Sequence, residues 1–255
     1  MKKTIFKTLL TVSFVSILFL TGCGQEPAQT SATSPGTTAS NNKKTGLESK
    51  DDANIQEKFW QAVKECSPDE VKTFIEQGAD INAKDKNGWT PLHRAALFNS
   101  NVDVLKILIE KGADINAKDN DGGTTIHYAA SFNSNVNVLK YLISQGADVN
   151  AKDNYGKTPI ICAVFLNSNV DILKYLEYLI SQGADVNVKE KKYGLTLLHW
   201  AVFKSNVDVL KYLVLQGANV NTKDNYGRTP LDAAKSEEVK KILRDAGGKS
   251  GEEIK

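Results

Sequence analysis

The residues of this 255-residue chain that could do chemistry are three histidines, three cysteines and a recurring set of aspartates. A histidine beside a carboxylate could move protons, cysteines with histidines could hold a metal, and a carboxylate row could bind cations. Their placement argues against each. His93, His127 and His199 fall at one position of a repeating pattern, so in a stack they would lie on successive levels. Neither Cys66 nor Cys162 shares a local motif with a histidine. Asp85, Asp119, Asp153 and Asp224 recur because a turn recurs, and aspartate in a tight turn bonds its own backbone. The turn glycines stand 33 to 38 residues apart rather than gathered into a phosphate-cradling loop. No catalytic residue, metal site, cofactor or small-molecule substrate is expected, and the chain reads as a non-enzyme.

The composition is 41% hydrophobic and 24% charged, with a formal net charge of +2. That balance excludes a disordered tail, a fibre or a polytopic membrane protein. The excess of positive charge sits at the start. Lys2, Lys3 and Lys7 precede an apolar run over residues 9–20, which ends in Leu20-Thr21-Gly22-Cys23. As a helix, the run would reach about 18 Å, short of a hydrocarbon core of about 30 Å, and so suits an export signal better than a span. Its ending resembles the bacterial lipobox, which implies cleavage before Cys23 and a lipid anchor on that cysteine. In that resemblance Gly24, rather than an aspartate, favours the outer membrane. Losing residues 1–22 removes three lysines and no acid, leaving 32 − 3 = 29 Lys+Arg against 30 Asp+Glu, a net charge of −1. Nucleic-acid binding, which needs concentrated cations, is not expected.

Residues 23–52 are rich in Ser, Thr, Pro, Asn and Ala and lack periodicity, so they read as a flexible linker behind the anchored cysteine. A repeat follows. Gly88-Trp89-Thr90-Pro91-Leu92-His93 returns at Gly122, Gly156, Gly194 and Gly227, with spacings of 34, 34, 38 and 33. A second marker keeps step: Gly-Ala-Asp at Gly78, Gly112, Gly146 and Gly183, then Gly-Ala-Asn at Gly217. In each unit the threonine can cap a helix that proline opens. Paired alanines allow close helix approach, and Asn-Ser-Asn breaks that helix. A second helix with an apolar face, such as Val104, Leu105, Leu108 and Ile109, ends at glycine.

This helix–helix–β-turn unit resembles the ankyrin repeat over residues 53–248. The resemblance implies an all-α solenoid of four full repeats between degenerate caps, with the histidines hydrogen-bonded to neighbouring turns. Residues 249–255 read as a flexible tail, and the last unit as one whose second helix is truncated at residues 239–243. Three residues inserted within residues 173–180 keep the apolar face roughly aligned, at the cost of a local bulge, and one more enters near Glu190–Lys192. Cys66 and Cys162, several repeats apart, are expected to be separate small hydrophobes.

In such solenoids partners meet the concave side, made by turn tips and first helices. That side carries Trp89, Lys157 and Arg228 after the turn glycine, Tyr155, Tyr193 and Tyr226 before it, and Phe98, Phe132, Phe165 and Phe203 near the ends of the first helices. Exposed aromatics with a rim of lysines (Lys84, Lys86, Lys118, Lys152, Lys191, Lys192, Lys223) suit an acidic or mixed protein partner. The phenylalanines could instead plug the next repeat. The expected function is a lipid-anchored protein-binding module of the bacterial cell envelope, with an inhibitor or immunity protein as its narrower form. The alternative is a structural envelope scaffold or a stress-protection component.

Overall fold

The computed structural model describes residues 50–65, 67–98, 100–166 and 171–254. Cys23, the signal segment, nearly all of the linker and Cys66 lie outside them. Among the described residues there are twelve helices and a single isolated antiparallel bridge, Lys189–Thr196. They come in pairs: α1 (Lys50–Glu65) with α2 (Pro68–Glu76), α3 (Pro91–Phe98) with α4 (Val102–Glu110), and α5 (Thr125–Phe132) with α6 (Val136–Ser144). Then follow α7 (Pro159–Leu166) with α8 (Ile172–Ser181), α9 (Leu197–Lys204) with α10 (Val207–Leu215), and α11 (Pro230–Ala233) with α12 (Glu237–Asp245). The chain is an all-α solenoid. Among the described residues the first helix begins at Lys50, inside the stretch expected as linker to residue 52.

Each pair is dictated locally. Asn101, Asn135 and Asn206 cap the second helices through their side chains. Gly112 ends α4 at φ +96°, a left-handed conformation that costs glycine nothing. The apolar positions repeat in register: Val104, Leu105 and Leu108 are buried in α4, and Val138, Leu139 and Leu142 in α6. Each such side chain contributes about 1.5–3 kcal/mol when removed from water. Ala95, Ala96, Ala129, Ala130, Ala163 and Ala201 are all buried, which brings successive first helices close together. First helices pack on one another more closely than second helices do, as in a stack curved toward the first-helix side.

Hydrogen bonds lock the levels. Asn82, Asn116, Asn150, Asn187 and Asn221 each reach one repeat onward: Asn82 Nδ2 donates to the Gly112 carbonyl at 3.0 Å, and the Asp114 N–H donates back to Asn82 Oδ1 at 3.0 Å. Gln56 on α1 plays that part for the first turn, accepting from the Asp80 N–H at 2.8 Å and donating to its carbonyl at 3.2 Å.

The structure details one expectation and corrects two. The insertion in the third unit lengthens α8 by one residue relative to α6, and Tyr175 takes the buried slot that Val138 fills in α6. Its hydroxyl donates to the Asn133 carbonyl at 2.5 Å, linking the third unit to the loop of the second. In the last unit the short helix is the first, α11 with four residues, while α12 has the full nine. Helix α11 stops there because Ala234 turns to extended backbone. Finally, residues 249–254 are not a loose tail. The Lys249 N–H donates to Asn221 Oδ1 at 2.8 Å, Lys223 Nζ to the Ile254 carbonyl at 2.8 Å, and Arg244 pairs with Glu253 at 2.8 Å. The tail copies the bonds a further repeat would make and caps the stack.

Candidate functional site

The turns that present the candidate residues are built by one carboxylate each. Asp85 Oδ1 accepts from the N–H groups of Asn87 (2.8 Å) and Trp89 (2.9 Å). Asp153 does the same for Tyr155 (2.9 Å) and Lys157 (2.8 Å), and Asp224 for Tyr226 (2.8 Å) and Arg228 (2.9 Å). The residues before and after the turn glycine are therefore held by the backbone and free to vary in side chain. Glycine itself is required: Gly88 sits at φ +79°, and a Cβ there would lie 2.7 Å from the Asn120 nitrogen of the next tip. Adjacent tips pair through backbone bonds such as Asn154 N–H to the Asp121 carbonyl at 2.9 Å.

The fourth turn is one residue longer, and its acid is longer by one methylene. Glu190, buried, accepts from Lys192 N–H at 2.7 Å, Tyr193 N–H at 2.6 Å and Leu195 N–H at 3.2 Å.

Histidines fix the first helices to these turns. The Thr90 N–H donates to His93 Nδ1 at 3.1 Å, which places the ring proton on Nε2, 3.3 Å from the Gly123 carbonyl one repeat onward. His127 reaches the Lys157 carbonyl at 3.1 Å and His199 the Arg228 carbonyl at 3.2 Å. Burial holds all three imidazoles below their ordinary pKa, partly opposed by nearby Asp119, Asp153 and Asp224. Their bonds are structural. In the last unit Asp232 takes the histidine position and accepts from the Gly251 N–H of the tail at 2.7 Å, so the bond between levels reverses direction. Cys162 is a free buried thiol whose pKa burial pushes up to about 12.

A family model of ankyrin repeats matches the chain in three overlapping copies, residues 59–153, 118–190 and 174–250. The chain belongs to the ankyrin-repeat family. No curated protein matches it. Ankyrin repeats are modules of protein–protein interaction, generally without catalysis.

In these ankyrin repeats the varying side chains fall into two groups. Toward the N-terminus they satisfy one another. Trp89 meets Tyr128 of the next repeat edge-on at 4.8 Å, and the Tyr128 hydroxyl donates to Asp119. Arg94 lies 4.6 Å over Trp60 and pairs with Asp85 at 3.1 Å. Toward the C-terminus the aromatics are more open. Trp200, 8% exposed, packs against Phe165 at 4.3 Å and Phe203 at 5.9 Å, joining third and fourth repeats. Tyr155 is 45% exposed with its hydroxyl 3.3 Å from Asp121, and Tyr226 is 62% exposed beneath Arg228 at 5.1 Å. Tyr193 is half-buried, with Lys192 Nζ 5.0 Å from its ring.

The four phenylalanines do not form one row. Counted from the capping threonine, Phe98 and Phe132 stand one place later than Phe165 and Phe203, about 100° round the helix. Phe98 is half-buried under Lys64 at 5.6 Å and Phe132 is 40% exposed, whereas Phe165 and Phe203 both contact Trp200. Sequence reasoning passed over Arg94, Tyr128 and Trp200, which share the place just after the histidine. Cys162 and Ala233 occupy it in the other repeats. The signal was present: this place changes character in every repeat while its neighbours hardly change.

Proposed function

We propose that this chain is a non-catalytic binding protein that grips a protein partner with the face formed by its turn tips and first helices. The observation that carries the reading is the convergence of the most variable side chains on that face, where they form aromatic contacts across repeat boundaries around Trp200 and Trp89. Aromatics concentrate binding energy because they offer large area at small entropic cost. The Leu-Thr-Gly-Cys motif supports the further proposal that Cys23 carries a lipid and holds the repeats at a bacterial envelope membrane, the Ser/Thr/Pro-rich segment acting as spacer. In that setting an inhibitor or immunity role fits a module whose most variable side chains converge on one face.

The test replaces side chains that are exposed rather than packed. The triple variant Tyr155→Ala, Phe203→Ala, Tyr226→Ala should lose the crosslinked partner recovered from envelope extracts, with a melting transition shifted by only a few degrees. Undiminished capture would remove this face as the binding surface. Mass spectrometry of the native protein should find a chain that begins at a diacylated or triacylated Cys23; an intact residue 1 or an unmodified Cys23 would refute the anchor.

A further inference from the structure

Two ammonium groups converge on one ring. Lys157, from the third turn, places Nζ 5.0 Å from the Phe165 centroid, and Lys204, from the end of α9 one repeat onward, places its own at 5.7 Å. Among the described residues neither lysine makes an ion pair. Lys157 also stands 5.8 Å from Tyr155, and Lys192, likewise without an ion pair, borders Tyr193 at 5.0 Å. Two cations that border one ring and make no ion pair of their own leave a place where an anion would be attracted.

The carboxylates nearby are already used. Asp153 and Glu190 accept from turn N–H groups, Asp121 from the Tyr155 hydroxyl, and Asp224 pairs with Arg228 at 2.8 Å. The apolar ground here is Phe165, bordered by both lysines, and Phe203, 36% exposed, each packed against Trp200. Among the described residues the indole Nε1 of Trp200 has no hydrogen-bond partner. The N-terminal half of the same face differs: Arg94 is paired with Asp85, and Tyr128 with Asp119.

Resting on the reading that this face is the binding surface, we propose that its C-terminal half, from Tyr155 to Arg228, binds an acidic peptide segment of the partner. One carboxylate sits between Lys157 and Lys204, and an adjacent aromatic or aliphatic side chain packs on Phe203. A second acid meets Lys192. A protein segment fits better than a nucleic acid because the turn carboxylates Asp121, Asp153 and Asp224 interrupt the lysines. They tolerate discrete acids but repel a continuous phosphate chain.

The experiment selects displayed random dodecapeptides on the immobilised full chain and measures the enriched peptides by fluorescence anisotropy. Enriched peptides should pair at least one aromatic or leucine with two or more Asp or Glu, and their binding should weaken as salt rises. The Lys157→Glu, Lys204→Glu variant should weaken it about tenfold or more, and the Lys157→Arg, Lys204→Arg variant should retain it. Lys204 is exposed and Lys157 half-buried, and circular dichroism checks that each variant is folded. Peptides without acids, peptides indifferent to the Glu variant, or no enrichment at all would each overturn the proposal. So would tighter binding of an oligothymidylate or of phosphatidylglycerol vesicles that the Glu variant abolishes. Acid-free peptides that still depend on Tyr155 and Phe203 would leave the face as the binding surface and refute only the acidic partner.

Discussion

Shortening Glu190 by one methylene should unfasten the fourth turn, and removing one turn residue should fasten it again. Glu190→Asp withdraws the carboxylate by about 1.5 Å, one C–C bond. Bonds now at 2.7 and 2.6 Å would open beyond hydrogen-bonding range, leaving buried N–H groups of the fourth turn short of an acceptor. Bonds to a charged acceptor contribute about 1.5–3 kcal/mol each, and partial relaxation should keep the total loss near 2–4 kcal/mol. For a folded unit of this size that lowers Tm by about 5–12 °C. Deleting Lys192 as well leaves the new aspartate followed by Lys191, Tyr193, Gly194 and Leu195, the spacing of Asp153-Asn154-Tyr155-Gly156-Lys157. Lys191 keeps its N–H bond to the Tyr155 carbonyl at 2.9 Å, so the register with the third tip survives. The double change should return to within about 1 kcal/mol of the parent, although each single change destabilises. Thermal unfolding by circular dichroism gives the cycle, and hydrogen exchange of the amides at 192, 193 and 195 localises it. An unchanged Tm for Glu190→Asp, or losses that simply add in the double variant, would refute the matching of acid length to turn length.

Two further outcomes follow from the stack. The folded histidines are held below their ordinary value of 6.5 by burial, so the unfolded chain binds more protons on acidification. Stability from the histidines is complete above about 6.5 and declines as pH falls through the lowered folded values. Imidazole resonances that titrate at or above 6.5 in the folded protein would contradict this. In the last unit, Gly251→Ala should lift the tail, because a Cβ there collides with the Gly227 carbonyl. Loss of the bonds from Gly251 to Asp232 and from Thr229 to Lys249 should speed amide exchange in α11 and α12 while leaving α3 to α6 unchanged. Uniform exchange rates would show that the tail does not cap.

Much of the architecture is local and was therefore open to reading. Threonine caps, the proline after them, the glycine that ends each second helix and the spaced apolar residues act within a few positions of themselves. They repeat, and so the solenoid followed from the chain alone. The histidines also read correctly, because their partners sit one repeat away at an offset of 30, 30 and 29 residues. What failed were the places where the period breaks. The three-residue insertion could be placed anywhere along residues 173–180 by pattern, and only burial of Tyr175 against the second repeat chose its position. The tail carries no apolar periodicity, since its hold on the stack is made by backbone groups, which any sequence possesses. The candidate face divides in the same way. Which residues vary was written in the chain; which of them neutralise one another was not. Arg94 with Asp85 and Trp60, and Lys157 with Lys204 across Phe165, are meetings of side chains from separate turns and helices, and only the stacking of levels brings them together.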